Sequence, residues 1–261
     1  MNIYYGIKTG LNEAFIIDTA TRQRILDACK DDAERQRTEA IIKPILRGRD
    51  IKRYTYEWKG LWVIAIPAGW TNEHRGQESA DAFIRRKMSS LMRYLSPFEA
   101  KARARDDQGD YWWELRPCAY YAEFEKEKVV WTPVNSEYSF AILPPGVYFV
   151  NSVFMITGSN LKYLCAIFNS KIIRYYLTFL FSSEEEYTYA SKETMEKIPI
   201  PPITPENQSL VSQIEALVDQ ILARKRGNPH ADTRDLERDI DQLVYRLYDL
   251  TPDEIRLVEG M

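Results

Sequence analysis

"KIPIPPITPENQ", Lys197 to Gln208, divides this sequence into two parts of different character. Four prolines fall between Pro199 and Pro205. Each removes a backbone donor and disfavours helix in the residue before it, so residues 199–208 predict an extended connector. Downstream, Thr204 and Pro205 offer a cap and a first-turn proline for a helix reaching about Lys225, with Leu210, Ile214, Leu217, Ile221 and Leu222 on one stripe. After a Gly-Asn-Pro turn, Leu236, Ile240, Leu243, Val244 and Leu247 repeat the same spacing from about Asp232 to Tyr248. Residues 209–261 therefore predict an amphipathic helical hairpin.

Upstream, over residues 1–198, aromatic and β-branched runs are punctuated by Pro and Gly. "LWVIAIP" (61–67), "KVVW" (128–131) and "VYFVNSVFMI" (147–156) predict strands of a mixed or antiparallel sheet. Residues 78–95 and 159–181 predict helices; in the second, Leu161, Leu164, Ile167, Phe168, Ile172, Tyr175 and Tyr176 recur at three- and four-residue steps, a face suited to a core. The expected class is α+β: a mixed-sheet body with a C-terminal helical hairpin. No internal repeat points to a solenoid.

At 261 residues and 45% apolar content the chain can bury a globular core. Cys29, Cys118 and Cys165 are far apart and the only histidines are His74 and His230, both in polar surroundings. A zinc site or disulfide framework is not expected, and a reducing cytoplasmic setting fits. No leader opens the chain, and its most apolar helical stretch is interrupted by Lys162, Lys171 and Arg174, so neither a signal peptide nor a membrane span is expected. The net charge of −3 conceals segregation: Lys43 to Lys59 holds six Lys/Arg against Asp50 and Glu57, and Ile84 to Arg105 holds seven against Glu99. An acidic body with basic segments can attract phosphate on one face and repel it elsewhere. The plainer alternative is that these charges are solvated helix faces.

Several catalytic signatures are missing. There is no G-x-S-x-G elbow, no H-E-x-x-H, no Asn/Asp-Pro-Pro-Tyr loop and no glycine-rich cofactor motif, so the chain is not expected to transfer methyl groups alone. Asp50, Glu57 and Lys59 imitate the D…E-x-K pattern with which nucleases hold Mg²⁺, but at short spacing, so a structural role is preferred for them. In "GIKTGLNEAFIID" (6–18), Gly6 and Gly10 flank Lys8 and Thr9, in the spacing of neither a P-loop nor a dinucleotide loop. A polar turn feeding a buried strand, Ala14 to Ile17, is the expected structure there.

"GIKTGLNEAFIID", "ILRGRDIKRY", "WWELRPCAYYAEFEKEKVVW", "YLCAIFNSKIIRYYL", "KIPIPPI" and "DIDQLVYRLYDLTPDEI", in this order, resemble the TaqI-like C-terminal specificity region of adenine-specific DNA methyltransferases. The same region occurs in fused restriction-modification enzymes. Residues 69–108 carry no recognised motif. The resemblance implies a target recognition domain for double-stranded DNA, with the methyltransferase domain preceding it in the same polypeptide. It implies no cofactor in this chain; S-adenosylmethionine, and Mg²⁺ where the parent also cleaves, would belong to the parent enzyme. It also implies backbone contacts from Lys8, Thr9 and Asn12, with Gly6 and Gly10 permitting close approach.

Arg47, Arg49, Lys52, Arg53 and Tyr54 form the densest basic cluster with an aromatic neighbour, the composition expected for phosphate positioning. The structural alternative pairs Asp50 with Arg47 or Arg53. Arg85, Arg86 and Lys87, with Arg103 and Arg105, form a second expected patch. Trp112, Trp113, Tyr120 and Tyr121 offer stacking faces but are expected in the core, and residues 182–193, with Glu184 to Glu186, are expected as an exposed loop. No catalytic or metal-binding residue is assigned. Two other functions compete: a protein-interaction module docking through the hairpin, and a divergent nuclease using Asp50, Glu57 and Lys59.

Overall fold

In the computed structural model, which describes residues 2–133, 138–181 and 190–260, the chain opens with β1 (Ile3–Tyr5), a helical turn α1 (Asn12–Phe15) and β2 (Ile16–Asp18). The strand expected over 14–17 is thus half helix. Thr9 causes this: its hydroxyl donates to Asn12 Oδ1 at 2.6 Å and accepts from Leu11 N, closing a turn that winds the next residues. Next come α2 (Thr19–Asp27) and α3 (Asp32–Ile41), capped by Asp18 and Asp31, then β3 (Ile42–Leu46), the short hairpin β4 (Ile51–Lys52) and β5 (Thr55–Tyr56), and β6 (Leu61–Ile64). A helical segment follows with α4 (Trp70–His74), α5 (Ala80–Lys87), α6 (Ser89–Leu95), α7 (Glu99–Arg103) and α8 (Tyr121–Phe124).

The single helix expected over 78–95 breaks at Met88. Glu34, fully buried on α3, accepts from Ser90 N and Ser89 Oγ, so a carboxylate from another helix caps the start of α6.

The strands β7 (Lys128–Trp131), β8 (Phe140–Leu143), β9 (Tyr148–Phe149) and β10 (Phe154–Thr157) complete two sheets. One is antiparallel, in the order β1-β10-β7-β8; the other runs β2-β6-β3-β9, antiparallel except where β9 lies parallel to β3. The run 147–156, expected as one strand, therefore turns at Asn151–Ser152 and passes from one sheet to the other.

Both faces of the antiparallel sheet are covered. Val130, Ala141, Leu143 and Met155 face a core shared with the second sheet and α5–α6, while Val129, Trp131, Phe140, Phe154 and Ile156 face a core built with the C-terminal helices. That is why the central strand β7 is buried at every position. Its Lys128 is held by the carbonyls of Phe124, Lys126 and Pro144, and burial pulls its ammonium down to about 8.

The helix expected over 159–181 is two, α9 (Leu161–Asn169) and α10 (Lys171–Phe181). After Ser170, the amide of Lys171 donates to Asp241 at 2.9 Å, so a distant carboxylate again starts a helix. Beyond α11 (Lys192–Met195), the proline-rich connector is strapped down by Tyr163 and Tyr248, whose hydroxyls donate to Pro201 O and Pro199 O. The hairpin is α12 (Gln208–Gly227) and α13 (Arg234–Leu247); α12 starts later than expected because Asn207 Oδ1 accepts from Thr204 N and holds a turn ahead of it. A further helix, α14 (Pro252–Glu259), follows a Thr251/Glu254 capping box. The acidic stretch Glu184 to Glu186 lies outside the described residues. Among the described residues no helix is long and apolar enough to cross a membrane.

Candidate nucleic-acid interface

The candidate site forms where β1, the turn after β3 and the sheet-to-sheet turn meet. Gly6 makes this junction possible. A Cβ there would lie 2.0 Å from Val150 O, and Gly6 N donates to Val153 O at 2.9 Å, while Ile7 N donates to Phe149 O. The close approach that the sequence suggested for DNA is thus used by the protein's own backbone. Val150 N also donates to Leu46 O and Val153 N to Val150 O, so the Asn151–Ser152 turn is fixed from three sides.

Two adjoining clefts flank that turn and share Tyr5 and Asn151 as walls. The larger, about 540 Å³, is lined by Arg49, Lys52, Thr132 and Ser152 among others. The smaller, about 410 Å³, is lined by Lys8, Arg116 and the rings of Tyr120 and Tyr121. Gly48 lets the basic turn pass Thr132, where an added Cβ would meet Cγ2 at 2.8 Å.

Within the basic run, folding separates structural from available charges. Asp50, buried, accepts from the Arg47 amide at 2.8 Å and from its Nε and Nη2, each at 3.1 Å, closing a one-turn 3-10 helix over Gly48–Asp50. Arg53 pairs with Glu237 of α13, and Tyr54 is buried with φ 59°, its hydroxyl pushed well above the usual range by burial. Arg49 and Lys52 are exposed, and neither makes an ion pair among the described residues. They are the charges this run leaves for a ligand.

In the N-terminal turn, Thr9 is buried and bonded to exposed Asn12. Lys8 pairs with Asp107 at 2.8 Å, and Arg116 shares the same carboxylate at 3.3 Å, which lowers the Asp107 pKa. On α5, Arg85 pairs with Asp81 and Arg86 with Glu78, and with Lys87 they line neither cleft. Arg105 belongs to no surface patch: it is buried against Phe15, donates to the carbonyls of Thr9, Trp112 and Glu114, and is lowered by burial to about 10. Trp112 and Trp113 are core residues, whereas Tyr120 and Tyr121 reach the cleft.

The nuclease-like residues do not converge as a metal site. Asp50 is engaged by Arg47, and Glu57 pairs with Lys59 at 2.6 Å. Among the described residues no three His, Cys, Asp or Glu side chains gather to hold a metal. Sequence reasoning did not single out Tyr5, Arg116, Asn151 or Ser152; Asn151 and Ser152 reach the site through the sheet crossover, and Arg116 through its pairing with Asp107.

The model of the TaqI-like C-terminal specificity domain family matches residues 43–200, more than half of the chain. The chain belongs to that family. No curated protein matches it. Among solved structures, the type IIL restriction-modification enzyme MmeI in complex with DNA is similar at TM-score 0.64 and 12% identity, over 96% of this chain and 33% of that one. The type IIG restriction endonuclease BpuSI matches at TM-score 0.49 and 12% identity, over 94% of this chain and 30% of that one. The chain thus spans about a third of the length of MmeI, and that likeness extends the shared fold to the C-terminal helices.

Proposed function

We propose that this chain is the DNA-reading module of a restriction-modification adenine methyltransferase, holding a separate catalytic domain on its target. The observation that carries this is the paired cleft, where a specificity-domain fold presents Arg49 and Lys52 on one side of a rigid turn and Lys8 and Arg116 on the other. Cations on both sides of the turn suit the phosphates flanking a groove, while the turn between them meets base edges. In this reading the partners are double-stranded DNA and an N-terminal methyltransferase domain, the setting is cytoplasmic, and S-adenosylmethionine belongs to the catalytic domain.

The test compares two double variants for binding to a labelled duplex. Arg49→Ala with Lys52→Ala is expected to weaken binding about tenfold or more, and Arg85→Ala with Arg86→Ala to leave it nearly unchanged. The reverse order moves the DNA face to α5 and overturns the assignment. If neither pair matters, the chain is better read as a protein-interaction module acting through α12 and α13.

A further inference from the structure

We infer that Asn151 is a base-reading residue of this module and that it takes the major-groove edge of an adenine. The inference rests on the DNA-recognition role proposed above and adds to it the residue that selects a base.

Four observations lead to it. Asn151 walls both clefts, so it stands between the two cation pairs and not beside one of them. It is exposed, and its amide makes no hydrogen bond among the described residues. The turn that carries it is anchored at both ends: Gly6 N, Val150 N and Val153 N donate to the carbonyls of Val153, Leu46 and Val150 at 2.9–3.0 Å. Finally, the turn is where the chain leaves β9 for β10, so two sheets fix its direction.

A fixed turn spares the backbone the cost of ordering on binding, and the donor and acceptor of the unbonded amide match one base edge well. The carboxamide can accept from adenine N6 and donate to N7 together, a bidentate pair that the other bases do not offer in that order. Arg49 and Lys52, by contrast, carry full positive charge at the ends of long side chains, which suits phosphate. A division of labour follows: the cations on either side set the register, and the amide between them reads. Tyr5, 41% exposed on the same wall, supplies an apolar face beside the reader.

The experiment selects duplexes from a random pool with the whole chain and sequences those retained, for the parent, Asn151→Ala, Asn151→Asp and Arg49→Ala. The parent is expected to enrich a consensus containing adenine. Asn151→Ala is expected to lose the preference at one adenine position by about 5-fold to 150-fold, the discrimination of one bidentate pair, while binding to unselected duplex stays the same. Asn151→Asp, which keeps size but loses the donor, is expected to lose the same position. Arg49→Ala is expected to keep the consensus and lose affinity for every duplex. An unchanged consensus in both Asn151 variants, or in Asn151→Ala a loss spread evenly over all sequences, overturns the assignment of Asn151 alone. A parent that enriches nothing overturns it together with the recognition role.

Discussion

Replacing Gly6 by alanine tests the construction of the site at its tightest point. The new methyl would sit 2.0 Å from Val150 O and 2.5 Å from Phe149 O, where ordinary contact begins near 3.4 Å, so β1 must retreat by about 1.4 Å. Both neighbouring strands are held in sheets, and the retreat lengthens the bonds from Gly6 N to Val153 O and from Ile7 N to Phe149 O beyond useful range. Two backbone hydrogen bonds at about 1 kcal/mol each, added to about 1–3 kcal/mol for overpacking, give a loss of roughly 3–5 kcal/mol. For a chain of this size that corresponds to a fall of about 6–20 °C in Tm, read by circular dichroism. Gly227→Ala is the control: nothing lies within 4 Å of the added carbon and the residue closes α12, so its Tm should hold or rise slightly. A Gly6→Ala protein that melts within 2 °C of the parent, on the scale of about 0.5 kcal/mol, refutes the reasoning.

Asp241 should make stability pH-dependent. Burial raises its carboxyl from 3.8 to about 6, against the opposing pull of the Lys171 amide and Arg53. The folded state therefore holds the extra proton, and stability falls as pH rises from 4 to 6 by up to about 3 kcal/mol. Asp241→Asn, which keeps an acceptor for Lys171 N, should be more stable than the parent at pH 8 and lose that advantage near pH 4; equal stability at pH 8 contradicts the argument. Asp107→Asn frees Lys8 and Arg116 together and removes a negative charge from the cleft rim. It should tighten duplex binding about fivefold, the effect of about 1 kcal/mol for one unit charge 4 Å from phosphate in water; weaker binding contradicts the placement of that rim.

Much of the fold is legible in the sequence because local chemistry decides it. "KVVW" and "FMIT" become strands, the prolines after Lys197 stay extended, and the two C-terminal stripes become helices packed on a sheet. The breaks at Met88 and Ser170 are not legible, because the carboxylates that cap the following helices, Glu34 and Asp241, come from 55 and 70 residues away. The start of α14 carries a local signal that the hairpin reading left unused: Thr251, Pro252 and Glu254 form a capping box. At the candidate site, basic density singles out the turn after β3 but does not divide its charges. The partner of Arg47 is three residues away, whereas that of Arg53 lies on α13, 184 residues on, and only folding shows that Arg49 and Lys52 are left over. Arg116 and Asn151 have no local signature at all; pairing with Asp107 places the first and the crossover between sheets the second.

The most direct test of the central claim is the salt dependence of duplex binding by the whole chain, followed by fluorescence anisotropy. Arg49 and Lys52 contribute two net charges to the paired cleft, and Lys8 and Arg116, sharing Asp107, contribute one more. Three net charges predict a slope of log K against log salt of about −2.7 for the parent and about −0.9 for Arg49→Ala with Lys52→Ala. A parent slope near zero, or a double variant with the parent's slope, contradicts the claim that this cleft is where the chain meets DNA.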